Sequence, residues 1–131
     1  MCGICGIVNL NSVHVDANQV LRMMDVLGHR GPDDAGVFVQ DNVALGNRRL
    51  SIIDLAGSRQ PMSNEDGTVW VSYNGEIYNY QELRRLLIGK GHTFKTEGDT
   101  EVIVHLYEEF QERMPDELNG MYALAIWDRR K

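Results

Sequence analysis

The feature that most limits how this chain can fold is its punctuation. Apolar, β-branched runs only a few residues long are each stopped by Gly, Asn or Asp, and three stretches of helical periodicity lie between them. Ile4 to Leu10 reads as a strand, ended by Asn9 and Asn11. Val37 to Val39 and Val43 to Leu45 read as a hairpin around Gln40, Asp41 and Asn42. Arg49 to Leu55 is a further apolar run, followed by a polar loop from Gly57 to Asp66. Thr68 to Tyr73 alternates as a strand and is stopped by Asn74-Gly75, the commonest tight-turn dipeptide. Thr93 to Lys95 reads as a short strand, and Met121 to Trp127 as a buried one, with Asp128 to Lys131 as the turn after it.

The helical stretches are short and amphipathic. Asp16 to Leu27 carries Val20, Leu21, Met24 and Leu27 on one face, and Gly28 can end it. Asn79 can cap a second helix, with Glu82 at the capping-box spacing, Leu83, Leu86 and Leu87 on its apolar face, and Gly89 and Gly91 at its end. Asp99 or Thr100 can cap a third, which carries Val102, Ile103, Leu106, Tyr107 and Phe110 and has Pro115 beyond its end. His29 to Gly36, with two Gly, one Pro and two Asp, is loop chemistry. A strong apolar strand directly before a charged end calls for a hairpin partner, so the domain is expected to continue past Lys131.

Composition excludes several functions. At 131 residues and 43% hydrophobic the chain suits one domain with one core. Its net charge of -6 leaves no basic footprint for nucleic acid and no cationic cluster for a membrane surface. No apolar run is long enough to span a bilayer, and the N-terminus lacks a signal peptide's charged and hydrophobic regions. Two cysteines make no disulfide framework, so a reducing, cytoplasmic setting is expected.

Cys2 is the residue with the most chemical potential. Removal of Met1 would leave a thiol and a free α-amine in one residue. Such an amine titrates at about 7.7–8.0 and a free thiol at about 8.5, so the amine can take the thiol proton and later give it to a leaving group. The alternatives are that Cys2 is incidental, or that Cys2 and Cys5 form a C-x-x-C redox or metal module. Against the latter, no second C-x-x-C exists, and His14, His29, His92 and His105 lack the H-x3-5-H spacing, so no metal site is expected. In an extended strand the two thiols would also face opposite ways.

Other residues offer complementary chemistry. Arg48 or Arg49 could hold a carboxylate bidentately, or could be a solvated pair. Asn74-Gly75-Glu76 is either a plain turn or an oxyanion hole made of an Asn amide and a backbone N–H, with a carboxylate beside it. Asp99 is either an N-cap or an anionic partner for an ammonium. A guanidinium, carboxylates and a thiol together form the set that glutamine requires.

Seven motifs occur in order: Met1-Cys2-Gly3-Ile4, His29-Arg30-Gly31-Pro32-Asp33, Arg49-Leu50-Ser51-Ile52-Ile53-Asp54, Gln60-Pro61-Met62, Tyr73-Asn74-Gly75-Glu76-Ile77-Tyr78-Asn79, Asp99-Thr100-Glu101-Val102-Ile103 and Leu118-Asn119-Gly120-Met121-Tyr122-Ala123. In these the chain resembles the glutaminase domain of the asparagine synthetase (glutamine-hydrolysing) family, class II glutamine amidotransferases with an N-terminal nucleophile. The resemblance runs from Met1 to the last strand. Glucosamine-phosphate and phosphoribosyl amidotransferases are expected to have His where this chain has Tyr73.

The resemblance implies an α+β fold, the αββα sandwich of two antiparallel sheets found in N-terminal-nucleophile hydrolases, here cut short at the C-terminus. Residues 1–131 would be an incomplete type-2 glutamine amidotransferase domain. Processed Cys2 would attack the glutamine amide, with Asn74 and Gly75 as oxyanion donors. Arg49, helped by the backbone of Leu50, Ser51, Ile52 and Ile53, would hold the α-carboxylate, and Glu76 and Asp99 would orient the α-ammonium. The His29–Asp33 loop would lie near the site. L-Glutamine is the implied substrate and no cofactor is implied for this step. ATP and Mg belong to a synthetase domain, in cis or trans, that this chain does not contain, and a homodimer is one implied assembly. Cys5 stands where the family usually has a small or apolar residue.

Overall fold

The structure, a computed structural model, describes residues 2–50 and 57–131. Two antiparallel three-stranded sheets form its centre. The first has the order β1-β3-β2, from β1 (Gly3–Val8), β3 (Val43–Arg49) and β2 (Asp34–Gln40). The second has the order β4-β5-β6, from β4 (Met62–Ser63), β5 (Val69–Ile77) and β6 (Gly120–Asp128). Helix α1 (Ala17–Val26) lies on the first sheet, α3 (Thr100–Phe110) lies on the second, and α2 (Tyr80–Gly89) packs on α3. Contacts of β5 with β1 and β3 bring the sheets face to face, giving four layers, αββα.

Strand alternation sorts the side chains between these layers. In β5, Val71, Tyr73 and Ile77 join the apolar cluster under α2 and α3, where Leu83, Leu87, Ile103 and Leu106 are also buried. Burying each such side chain contributes about 1.5–3 kcal/mol. The other face of β5 turns to the first sheet. Trp70 stacks on Phe38 at 4.2 Å, and Ser72 Oγ donates to the Gly46 carbonyl at 3.1 Å. In β3 the same rule sends Ala44 beneath α1 with Val15 and Val20, while Asn47 and Arg49 turn inward. Gly46 has no room for a side chain, because a Cβ would lie 2.8 Å from both Cys5 Sγ and Met24 Sδ.

Several elements differ from the sequence expectation, each for a local reason. Asn74-Gly75 is not a turn: β5 runs through both, paired with Ala123 and Tyr122. Long-range pairing with β6 overrides the dipeptide's turn preference. The hairpin strands reach further than the apolar residues, to Asp34 and Arg49, around a two-residue turn in which Asp41 has φ 51. Thr93 to Lys95 forms no strand, because the Glu101 carboxylate accepts from the N–H groups of Lys95 at 2.8 Å and Thr96 at 2.7 Å.

Asp16, expected as the first residue of the helix, instead caps α1 by accepting from Asn18 N–H. Asn79 and Asp99 sit at N-cap positions without a side-chain cap bond. Asn79 instead bridges to the Glu117 carbonyl and the Asn119 N–H. Pro115 lies inside a 3-10 helix, Gln111–Glu117, that follows α3 directly. Leu21 and Leu86 are exposed, so the apolar faces of α1 and α2 are narrower than their spacing predicts. β6 is exposed at Met121 and Tyr122 and is buried only at its far end. Arg49 ends β3 and Leu50 follows it, whereas Ser51, Ile52 and Ile53 lie outside the described residues. Among the described residues no helix is long and apolar enough to cross a membrane.

Candidate active site

A cleft of about 130 Å³ opens between the two sheets and the start of α3. Cys2, Arg49 and Leu50 line it from the first sheet. Asn74, Gly75 and Glu76 line it from β5, and Asp99 and Thr100 from the α3 end. Every described residue among those singled out for substrate or catalysis therefore borders one space. Its volume suits an amino-acid-sized ligand, being close to the roughly 150 Å³ of an engineered cavity that admits benzene.

Cys2 precedes β1, and its sulfur is aimed by the strand end beside it. The Leu50 N–H donates to Sγ at 3.4 Å, and the Leu50 carbonyl lies 3.8 Å from it. Arg30 of the His29–Asp33 loop donates to the Cys2 carbonyl at 3.5 Å. Asp33 N–H donates to the Arg49 carbonyl at 3.1 Å, so this loop supports both ends of the cleft wall. Cys5 faces the other way, packed with Val15, Val20 and Ala44, and burial raises its thiol pKa. Neither cysteine is in a disulfide. The two sulfurs thus serve opposite faces of β1, which does not fit a redox or metal C-x-x-C pair.

Alternation also resolves the arginine pair. Arg49 is buried at the cleft, 6% exposed, opposite Asp34 in register. Arg48 points to the α1 side, where its guanidinium lies 3.5 Å from the Cβ position of Gly28.

One end of the β5 segment is held by Gln60 and Asn47, to which the sequence assigned no role. Gln60 Oε1 accepts from Tyr73 N–H at 2.7 Å and from Asn47 Nδ2 at 3.1 Å. Asn47 Nδ2 also reaches the Tyr73 carbonyl at 3.1 Å. At the other end, Asp99 Oδ2 accepts from Ile77 N–H at 3.1 Å and from the Tyr73 hydroxyl at 2.7 Å. Burial, and then the Asp99 carboxylate, push the Tyr73 hydroxyl far above its usual pKa, so it stays a neutral donor. The signal in sequence was thin: a Gln before Pro61, within a loop that reads as solvated but buries Ser58, Gln60 and Asn64.

These bonds fix a direction for Gly75. Backbone N–H groups of alternate strand residues point to the same edge. Tyr73 N–H and Ile77 N–H both point away from β6, to Gln60 and Asp99, so the Gly75 N–H between them faces that same edge. β4 does not cover it, since it pairs only with Trp70 and Val71. Gly75 leaves no room for a side chain: a Cβ would lie 2.3 Å from the Met121 carbonyl oxygen. Beside it, Asn74 Oδ1 is buried with no hydrogen-bond partner among the described residues. Leaving a buried polar atom unpaired costs about 1–3 kcal/mol, and a half-turn of the amide would put Nδ2, a donor, in its place.

A sequence profile of the family described as "Glutamine amidotransferase domain" matches residues 1–131. The chain is 45% identical over 132 residues to "Asparagine synthetase [glutamine-hydrolyzing] 1" of Bacillus subtilis (strain 168), covering 98% of this chain and 21% of that protein. It is 42% identical over 131 residues to "Asparagine synthetase [glutamine-hydrolyzing]" of Zea mays, covering 99% and 22%. The chain thus spans about a fifth of the length of the curated relatives it matches. Among solved structures, the glutamine phosphoribosylpyrophosphate amidotransferase of B. subtilis, complexed with ADP and GMP, superposes with a TM-score of 0.76 at 23% identity. That match covers 98% of this chain and 35% of the other. It shows that the chain shares the fold of that amidotransferase, in keeping with the αββα sandwich the resemblance implied. By its profile over the whole length and its identity to these relatives, the chain belongs to the glutamine amidotransferase domain family.

Proposed function

We propose that this chain hydrolyses glutamine to glutamate and ammonia through a γ-glutamyl thioester on Cys2. The observation that carries this reading is the convergence of Cys2, Arg49, Asn74, Gly75, Glu76 and Asp99 on one amino-acid-sized cleft. Removal of Met1 frees the α-amine of Cys2, which takes the thiol proton as sulfur attacks the amide carbon. The oxyanion is met by the Gly75 N–H and the Asn74 amide, and the buried unpaired atom of Asn74 supports a ligand-completed site there. Ammonia leaves with the proton from the α-amine, and water then cleaves the thioester to glutamate. Arg49 holds the α-carboxylate, and Glu76 and Asp99 hold the α-ammonium. No cofactor takes part in this step.

The names of the relatives support asparagine synthesis as the use of the ammonia. It would pass to a synthetase domain, in cis or trans, that requires ATP and Mg and acts on aspartate. We place the protein in the cytoplasm, where the free thiols of Cys2 and Cys5 remain reduced. The test is glutaminase turnover in two variants. Cys2→Ala abolishes it and Cys5→Ala retains it; the reverse pattern rejects the assignment.

A further inference from the structure

The loop after α2 and one side of α3 bring together three side chains that the cleft does not use. His92 Nδ1 lies 3.2 Å from His105 Nδ1, which in turn lies 3.2 Å from Glu108 Oε2. His92 Nδ1 is 3.6 Å from that same oxygen. The three atoms form a nearly equilateral triangle. Zinc binds His nitrogen and carboxylate oxygen at about 2.0–2.2 Å in a tetrahedron, which sets its ligand atoms roughly 3.3–3.5 Å apart. The observed triangle therefore matches one face of a zinc tetrahedron.

The surrounding groups support this. Metal-binding histidines usually donate the other ring N–H to a carboxylate, which fixes the tautomer and presents a lone pair to the metal. His92 Nε2 lies 3.1 Å from Glu109 Oε1, which leaves Nδ1 for the triangle. His105, 1% exposed, makes no hydrogen bond through Nε2 among the described residues, the Glu101 Oε1 it faces being 3.7 Å away. Glu108 Oε1 accepts from Asn64 Nδ2 at 2.7 Å, leaving Oε2 for the triangle. Glu65, on the turn between β4 and β5, places Oε2 3.9 Å from His105 Nδ1. It is half-exposed and free to swing in as a fourth ligand.

We propose that His92, His105 and Glu108 bind a divalent transition metal, Zn²⁺ by the character of its donors, with Glu65 as the fourth ligand. A closed four-ligand site of this kind is structural. It ties the end of α2, the middle of α3 and the β4–β5 turn together. At a rise of about 1.5 Å per residue, His105 and Glu108 stand roughly 9 and 14 Å along α3 from Asp99, so the site braces the helix whose other end borders the cleft. Spacing rules miss it because its histidines are 13 residues apart and meet only through the fold.

The test begins with purified protein stripped by a chelator and titrated with Zn²⁺ alone. Metal content after gel filtration is then read by mass spectrometry. One zinc per chain is expected, with a raised unfolding midpoint. At a free zinc concentration about a hundred times its dissociation constant, the folded-to-unfolded ratio rises about a hundredfold. His92→Ala and Glu108→Gln, at part-exposed positions that should not threaten folding, each weaken retention by roughly tenfold or more. Co²⁺ gives the visible absorption of a four-coordinate site in the parent protein and not in these variants. A Cys2→Ala/Cys5→Ala double variant keeps the metal. No zinc retained by the parent protein, zinc retained equally by both ligand variants, or zinc lost from the cysteine variant each overturns the proposal.

Discussion

Asp99→Asn separates binding from scaffolding at the cleft. Asp99 is nearly isosteric with Asn, and both bonds it accepts, from the Tyr73 hydroxyl and the Ile77 N–H, fall on one oxygen, Oδ2. An amide oxygen placed there keeps both, so the fold should survive. The change removes the negative charge at the cleft and puts an NH₂ where the second oxygen was. A hydrogen bond to a charged group is worth about 1.5–3 kcal/mol. At about 1.4 kcal/mol per tenfold, the KM for glutamine should rise roughly ten- to hundredfold. The unfolding midpoint should move little. The assay is steady-state glutaminase kinetics alongside urea denaturation. An unchanged KM in a folded Asp99→Asn protein would refute the assignment of Asp99 to the α-ammonium and leave it only as the anchor of Tyr73 and β5.

Tyr73 makes alkali destabilising. Its hydroxyl stays protonated in the fold and ionises at about 10 in the unfolded chain, so stability is full below that pH and falls above it. Between pH 9 and 11 the urea midpoint should drop, and Tyr73→Phe should flatten that drop; an identical slope in both proteins would contradict the buried, neutral hydroxyl. Gly75→Ala places a Cβ 2.3 Å from the Met121 carbonyl and 2.6 Å from the Tyr122 Cα, backbone atoms that cannot withdraw without unpairing β6. A loss of about 1–3 kcal/mol is expected on chemical denaturation, together with impaired turnover. An unchanged midpoint would mean that the two strands are not so closely paired.

Short-range chemistry was the most legible part of the chain. Leu83, Leu87, Ile103 and Leu106, placed on helix faces by their spacing, are buried. Turns fixed by distant partners were not legible. Asn74-Gly75 has strong local turn preference, yet nine residues of β5 pair with β6 through it, a fact carried by residues 120–128. The cleft's individual residues could be named from the motifs. Their convergence depends on the alternation that sends Arg49 inward and Arg48 outward. Gln60, which holds Tyr73 and Asn47 together, lay in a loop that reads as solvated. The His92–His105–Glu108 cluster was invisible, because its members are joined by packing of the loop after α2 on α3.

The proposed activity depends most on Cys2 as the reactive thiol of an assembled glutamine site. Intact mass before and after treatment with the glutamine-mimicking electrophile 6-diazo-5-oxo-norleucine tests this directly, with peptide mapping to locate the adduct. The expected result is a chain without Met1 that gains one adduct, on Cys2, and is protected by glutamine. An adduct on Cys5, labelling that glutamine does not slow, or Met1 retained on protein from its native cell would contradict it.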